Sequence, residues 1–123
     1  MTREMLYKIA FASVRGMGVD LARKMLEVIG EEQEFFRISE KALREITGSK
    51  SKILSKSYRN DCLIKAQNEL PFLESRHIQL SYFTHPDYPQ RLLNAVDAPI
   101  LLYSVGETNL NSKHIVSIVG TRN

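Results

Sequence analysis

Ile115-Val116-Ser117-Ile118-Val119-Gly120-Thr121-Arg122 decides how this chain folds. Four β-branched residues and one serine run unbroken into a glycine. An apolar run of this kind suits a strand buried on both faces of a parallel sheet. In open α/β sheets, ligands bind where such strands end, at the mouth of the following loop. Gly120 permits close approach of a backbone, Thr121 offers a hydroxyl, and Arg122 carries a planar guanidinium suited to phosphate. A small, a hydroxylated and a basic residue at a strand end therefore make a candidate phosphate site. The triplet is neither a dinucleotide fingerprint nor a P-loop, which needs a lysine further on.

Upstream, Ala98-Pro99-Ile100-Leu101-Leu102-Tyr103 reads as a second strand ending near Gly106. Ile78, Leu80 and Tyr82 alternate with polar residues, as in a half-buried strand. Between them His85-Pro86-Asp87-Tyr88-Pro89 breaks the chain, and a short helix is predicted over Gln90 to Ala95. Asp87 is expected to cap that helix, with Pro89 in its first turn. Strands with helices between them point to an α/β arrangement. Fewer than 50 residues follow position 75, too few to cover both faces of a parallel sheet. The strand-bearing part is thus expected to be incomplete as written. Residues 115–119 are expected to be poorly ordered or paired with another chain.

Residues 1–74 have a different texture. Met5, Leu6, Ile9 and Ala10 recur at helical spacing behind Thr2, a predicted N-cap. Leu21, Ala22, Met25, Leu26 and Ile29 form the apolar face of a second helix that stops at Gly30. Ser39 is placed to cap a third helix ending near Gly48. A longer helix is predicted over Ile53 to Leu70, kinked or ended by Pro71. The boundary falls around 71–77, which divides the chain into an all-α part, 1–74, and a β/α part, 75–123.

Gly16-Met17-Gly18 joins the first two helices, and Val14 to Leu26 has the form of a helix-hairpin-helix. Two glycines one residue apart allow a tight turn. The N–H groups that open the second helix, with the positive end of its dipole, can hold a phosphate oxygen. Arg15, Arg23 and Lys24 add charge beside them. Such a contact reads no base edges. The alternative is a plain αα-hairpin with a structural or protein-docking role. Asp20 favours it, because a carboxylate there satisfies the free donors and repels phosphate. Lys50, Lys52, Lys56 and Arg59, with Tyr58 among them, form a second basic cluster. It reads either as a phosphate-facing patch or as a solvated helix surface.

The charge is unevenly spread. Residues 1–60 hold 12 Lys/Arg and 8 Asp/Glu, against 5 and 6 in residues 61–123, for a net +3 overall. A basic first half fits a polyanionic partner. No apolar run is long enough for a membrane span, and the N-terminus lacks the pattern of a signal peptide. The single cysteine, Cys62, reads as a buried thiol, and the expected compartment is the cytoplasm. His77, His85 and His114 are too irregularly spaced for a metal site. No paired carboxylates and no nucleophile–base arrangement mark an enzyme.

Three segments together resemble a known family. They are Asp87-Tyr88-Pro89-Gln90-Arg91-Leu92-Leu93, Asp97-Ala98-Pro99 through Tyr103 to Gly106, and Val116-Ser117-Ile118-Val119-Gly120-Thr121-Arg122. Their order and separation are similar to the DprA (Smf) family of DNA-processing proteins. The resemblance is strong over 85–122 and looser before it. It implies an α+β chain in two parts. The first is a SAM-like helix-hairpin-helix domain, the second the opening elements of a truncated Rossmann-like domain that binds single-stranded DNA. It implies protection of incoming strands in natural transformation (competence), DNA recombination and loading of a RecA-type recombinase. It also implies a homodimer of the full-length protein, no enzymatic activity and no cofactor. Gly120, Thr121 and Arg122 would belong to the phosphate-contacting loop, with Thr121 where serine is common. The competing expectation is a helical protein-interaction module, docking a recombinase or a second copy, with little DNA binding of its own.

Overall fold

The computed structural model describes residues 3–95, 98–105 and 118–120. Helices α1 (Arg3–Ala12), α2 (Val19–Ile29), α3 (Glu32–Arg37), α4 (Glu40–Thr47) and α5 (Lys56–Ser75) come first. Strands β1 (Ile78–Tyr82), β2 (Leu101–Val105) and β3 (Ile118–Gly120) follow. The chain is thus mixed, helical first and stranded after, in the order its sequence pattern sets out. Thr2 lies outside the described residues.

The helix ends follow local side-chain chemistry. Gly18 and Gly30 bound α2 as expected. The Ser39 hydroxyl accepts the Ala42 N–H at 3.2 Å and starts α4. A cap of this kind contributes about 1 kcal/mol. Gly48, at φ 68°, ends the helix in the left-handed region that glycine enters without strain. The predicted helix over 53–70 needs correcting at both ends. Ser51 and Ser55 each accept a backbone N–H, from Ile53 and Tyr58, and so set off a 3-10 turn, Lys52–Leu54, before α5 begins. Pro71 does not end α5, which continues to Ser75. Pro71 is exposed, so water can take the carbonyl that its missing N–H leaves free. The proposed boundary between residues 74 and 75 falls in the last turn of this helix.

Helix α3 has no counterpart in the sequence prediction. Six residues are too few to show a helical period, yet Phe35 and Phe36 on it are buried. Phe35 meets Phe11 of α1 edge to face, with ring centroids 5.3 Å apart. Such pairs add about 1 kcal/mol to the area they bury. Helix α1 packs along α5, and α3 closes the layer.

The sheet has the order β1-β2-β3, and both pairs are antiparallel. Ile78 lies opposite Val105 and Tyr82 opposite Leu101. Leu102 lies opposite Gly120. This corrects the parallel pairing expected of the final apolar run: the described strands contain no parallel pair. A β-branched run specifies burial, not direction. Roughly a dozen residues separate β2 from β3, near the lower limit for a parallel crossover but ample for an antiparallel return. The expectation that the run stays unpaired within one copy is also corrected, since Ile118–Gly120 pairs with β2. Ile115, Val116 and Ser117 lie outside the described residues.

Helices and strands share one hydrophobic cluster, from Ile9 and Phe11 through Leu43, Leu54 and Leu73 to Tyr82, Tyr88 and Leu101. Polar contacts cross the same seam. The Tyr82 hydroxyl donates to Glu32 of α3 at 2.6 Å. Lys8 of α1, only 8% exposed, donates to Glu4 at 3.1 Å, lies 3.5 Å from His85 and sits over the Tyr82 ring.

Candidate nucleic-acid interface

The glycine hairpin folds much as the sequence implies. After α1 the chain turns through Gly16, whose φ of 78° excludes most side chains, and reaches Gly18 in an extended conformation. Ala22 on α2 is fully buried, which permits close packing. Arg15, Arg23 and Lys24 are exposed, and none forms an ion pair among the described residues. The opening of α2 is only partly free, however. The Val19 N–H donates to the Ala98 carbonyl at 3.0 Å, and Gly18 bridges Pro99 in antiparallel fashion. No side chain caps this end, and Asp20 stands exposed in the first turn without bonding the helix donors. A cavity of about 180 Å³ remains there, lined by Gly16, Gly18, Val19, Asp20, Leu21, Ala95 and Ala98.

Gly120 ends β3 opposite Leu102, so it lies at the end of the sheet where β1 leaves and β2 enters. The segment that carries Tyr88, Ala98 and Pro99 connects these strands at the same end. Pro99, which bridges Gly18, stands three positions before Leu102 in the chain. Thr121 and Arg122, the side chains that the sequence reading gives to the site, lie outside the described residues.

The second basic cluster does not hold together as read. Arg59 is 1% exposed and faces inward. Its guanidinium donates to the carbonyls of Phe35 and Ile38 at 2.7 and 2.8 Å, tying down the chain where α3 ends. Burial lowers its pKa, and the Glu40 charge raises it again. The spacing of Lys52, Lys56 and Arg59 suggests one helical face, but the 3-10 turn puts Lys52 on another element. Lys50, Lys52 and Lys56 remain exposed. Tyr58 belongs to neither face: its hydroxyl accepts the Arg15 N–H at 2.8 Å, which joins the hairpin to the start of α5. Burial raises the pKa of that phenol, and the Arg15 bond offsets part of the rise.

Asp87 does not cap the turn after it. Its carboxylate lies 3.5 Å from the Ser81 hydroxyl, and the 3-10 turn Gln90–Asn94 has Pro89 at its cap position without a side-chain acceptor. Tyr88 is the residue that matters structurally. Fully buried, it donates to the Pro99 carbonyl. Sequence reasoning missed this link, although two Asp-x-Pro turns so close in the chain are the signal that could have raised it. Asp97 lies outside the described residues.

Among the described residues, no group of His, Cys, Asp and Glu could hold a metal ion, and no helix is long and apolar enough to cross a membrane. Compared with known proteins, residues 79–123 match the family model of DNA recombination-mediator protein A. That segment contains β1 from Gln79 onward, the Tyr88–Pro99 link, β2 and the strand tip at Gly120. No curated protein and no solved structure matches the chain.

Proposed function

We propose, from the premise that residues 79–123 are a segment of the recombination-mediator kind, that the chain serves DNA recombination by binding single-stranded DNA. In this reading it holds the phosphodiester backbone and does no covalent chemistry. The Gly120-Thr121-Arg122 tip supplies close backbone approach, a hydroxyl and a guanidinium. Gly16 and Gly18, with Arg15, Arg23 and Lys24, supply a second set of contacts. One observation carries the reading: the strand register and the Gly18–Pro99 bridge put both glycine sites at one end of the sheet. Handing the coated strand to a RecA-type recombinase, as a cytoplasmic homodimer, completes the proposal.

Titrating a labelled thymidine oligonucleotide with the chain at low salt tests it. Arg122→Ala should weaken binding by about 1–3 kcal/mol, the value of a charge-assisted contact. An unchanged affinity removes Arg122 from the site.

A second reading has its own support. The Val19 N–H that a phosphate would use already pairs with Ala98. If the hairpin serves only to dock the helices on the strands, Arg23→Ala with Lys24→Ala leaves DNA affinity unchanged while Arg122→Ala lowers it. The helical part is then a platform for a protein partner.

A further inference from the structure

The start of α5 presents a charged surface that neither the strand tip nor the hairpin uses. Between residues 41 and 59 the chain has six Lys/Arg and one acidic residue. The fold sorts them. Arg59 turns inward, and Arg44 pairs with Glu40 at 3.1 Å. Lys50, Lys52 and Lys56 stay exposed, and none forms an ion pair among the described residues. The carboxylate of Glu40 is committed twice, to Arg44 and to the Lys56 N–H. Those two bonds, Arg44 first, hold it below the ordinary carboxylate range.

The backbone beneath these lysines is fixed by hydroxyl caps. Ser49 accepts the Ser51 N–H, Ser51 that of Ile53, and Ser55 that of Tyr58. At its far end the Tyr58–Arg15 bond brings the same surface to the glycine hairpin. Three free cations on a held backbone, continued through Arg15, suit a ligand with regularly spaced negative charge. Lysines meet phosphates as point charges, and phosphate contacts carry no sequence information.

We propose that Lys50, Lys52 and Lys56 form a phosphodiester track on the helical part, leading a nucleic-acid strand to or from the hairpin. This takes its ligand from the DNA reading above and adds a surface to it.

The test measures oligonucleotide affinity at several salt concentrations. It compares the unaltered chain, the triple variant Lys50→Gln, Lys52→Gln, Lys56→Gln, and Arg122→Ala. All three substituted lysines are exposed, and matching melting curves confirm that the triple variant folds. Each lost single-strand phosphate contact lowers the slope of log affinity against log salt by about 0.7, so the triple variant should lose about two units. Its low-salt affinity should drop roughly tenfold or more. An unchanged slope overturns the track. If Arg122→Ala is then impaired, the strand-tip reading survives alone. The converse pattern, a weakened triple variant and an unaffected Arg122→Ala, supports the track and removes the tip. If the unaltered chain binds phosphatidylserine vesicles but no oligonucleotide, and the triple variant loses the vesicles, the surface serves a membrane and both nucleic-acid readings fall.

Discussion

The Tyr88 hydroxyl donates a 2.5 Å hydrogen bond to the carbonyl oxygen of Pro99, and the phenol is fully buried. Pro99 in turn bridges Gly18, and its neighbour Ala98 accepts the Val19 N–H. One tyrosine thereby braces the turn on which the glycine hairpin rests. Tyr88→Phe keeps the ring and leaves a buried carbonyl without its donor. We expect a loss of about 1–3 kcal/mol in urea unfolding. If the variant matches the unaltered protein, the brace has no energetic weight.

Arg59 should be irreplaceable by lysine. Nη1 alone donates to both the Phe35 and Ile38 carbonyls, at 2.7 and 2.8 Å, while Nε–H reaches the Ser55 carbonyl at 3.4 Å, and a single ammonium cannot occupy both nitrogen positions. Arg59→Lys should destabilise by about 2 kcal/mol and Arg59→Ala by about 3 kcal/mol, since bonds to charged groups are worth about 1.5–3 kcal/mol each. Folded Arg59→Lys should bind DNA as well as the unaltered chain does. A specific loss of binding would return Arg59 to the interface.

Gly16 separates backbone need from space. Its φ is 78°, yet a Cβ built there would meet nothing within 4 Å. Gly16→Val should therefore cost about 1–2 kcal/mol through conformation alone. Gly16→Asn should cost less, because asparagine tolerates the left-handed region. Equal thermal shifts for the two variants would contradict this account.

Alkaline pH should unfold the protein through its buried phenols. Burial, then the charge of Glu69, pushes Tyr103 up to about 12, and burial also raises Tyr82 and Tyr88. The unfolded chain loses these protons near pH 10 while the folded chain keeps them, so it binds fewer protons and stability falls as pH rises. The contribution is intact below about pH 10 and disappears as pH passes through about 12 for Tyr103. Tyr103→Phe should flatten that decline in chemical-unfolding curves taken across the window. An identical pH dependence in the variant would exclude Tyr103 as a cause.

Much of this fold is legible in the sequence because local chemistry writes it. Ser39 caps the start of α4, and Gly48 and Gly30 end their helices at φ values of 68° and 89° that favour glycine. The alternation at Ile78, Leu80 and Tyr82 marks β1. What was not legible depends on partners far along the chain. Helix α3 is held by Phe11 and Arg59, so its six residues carry no period of their own. The direction of β3 depends on which strand it meets, and β-branching is silent on that. Arg59 looks like one more surface cation until α3 is seen to end above it. The hairpin glycines were visible, but the use of the Val19 N–H by Ala98 was not, since some eighty residues separate them.

The bonds between Ala98–Pro99 and the hairpin bear on how the molecule melts. Because a single apolar cluster runs through both parts, neither can come apart without exposing the other's interior. Calorimetry should find a single cooperative transition instead of two. A ligand gripping either end should raise the midpoint for the entire chain, by mass action.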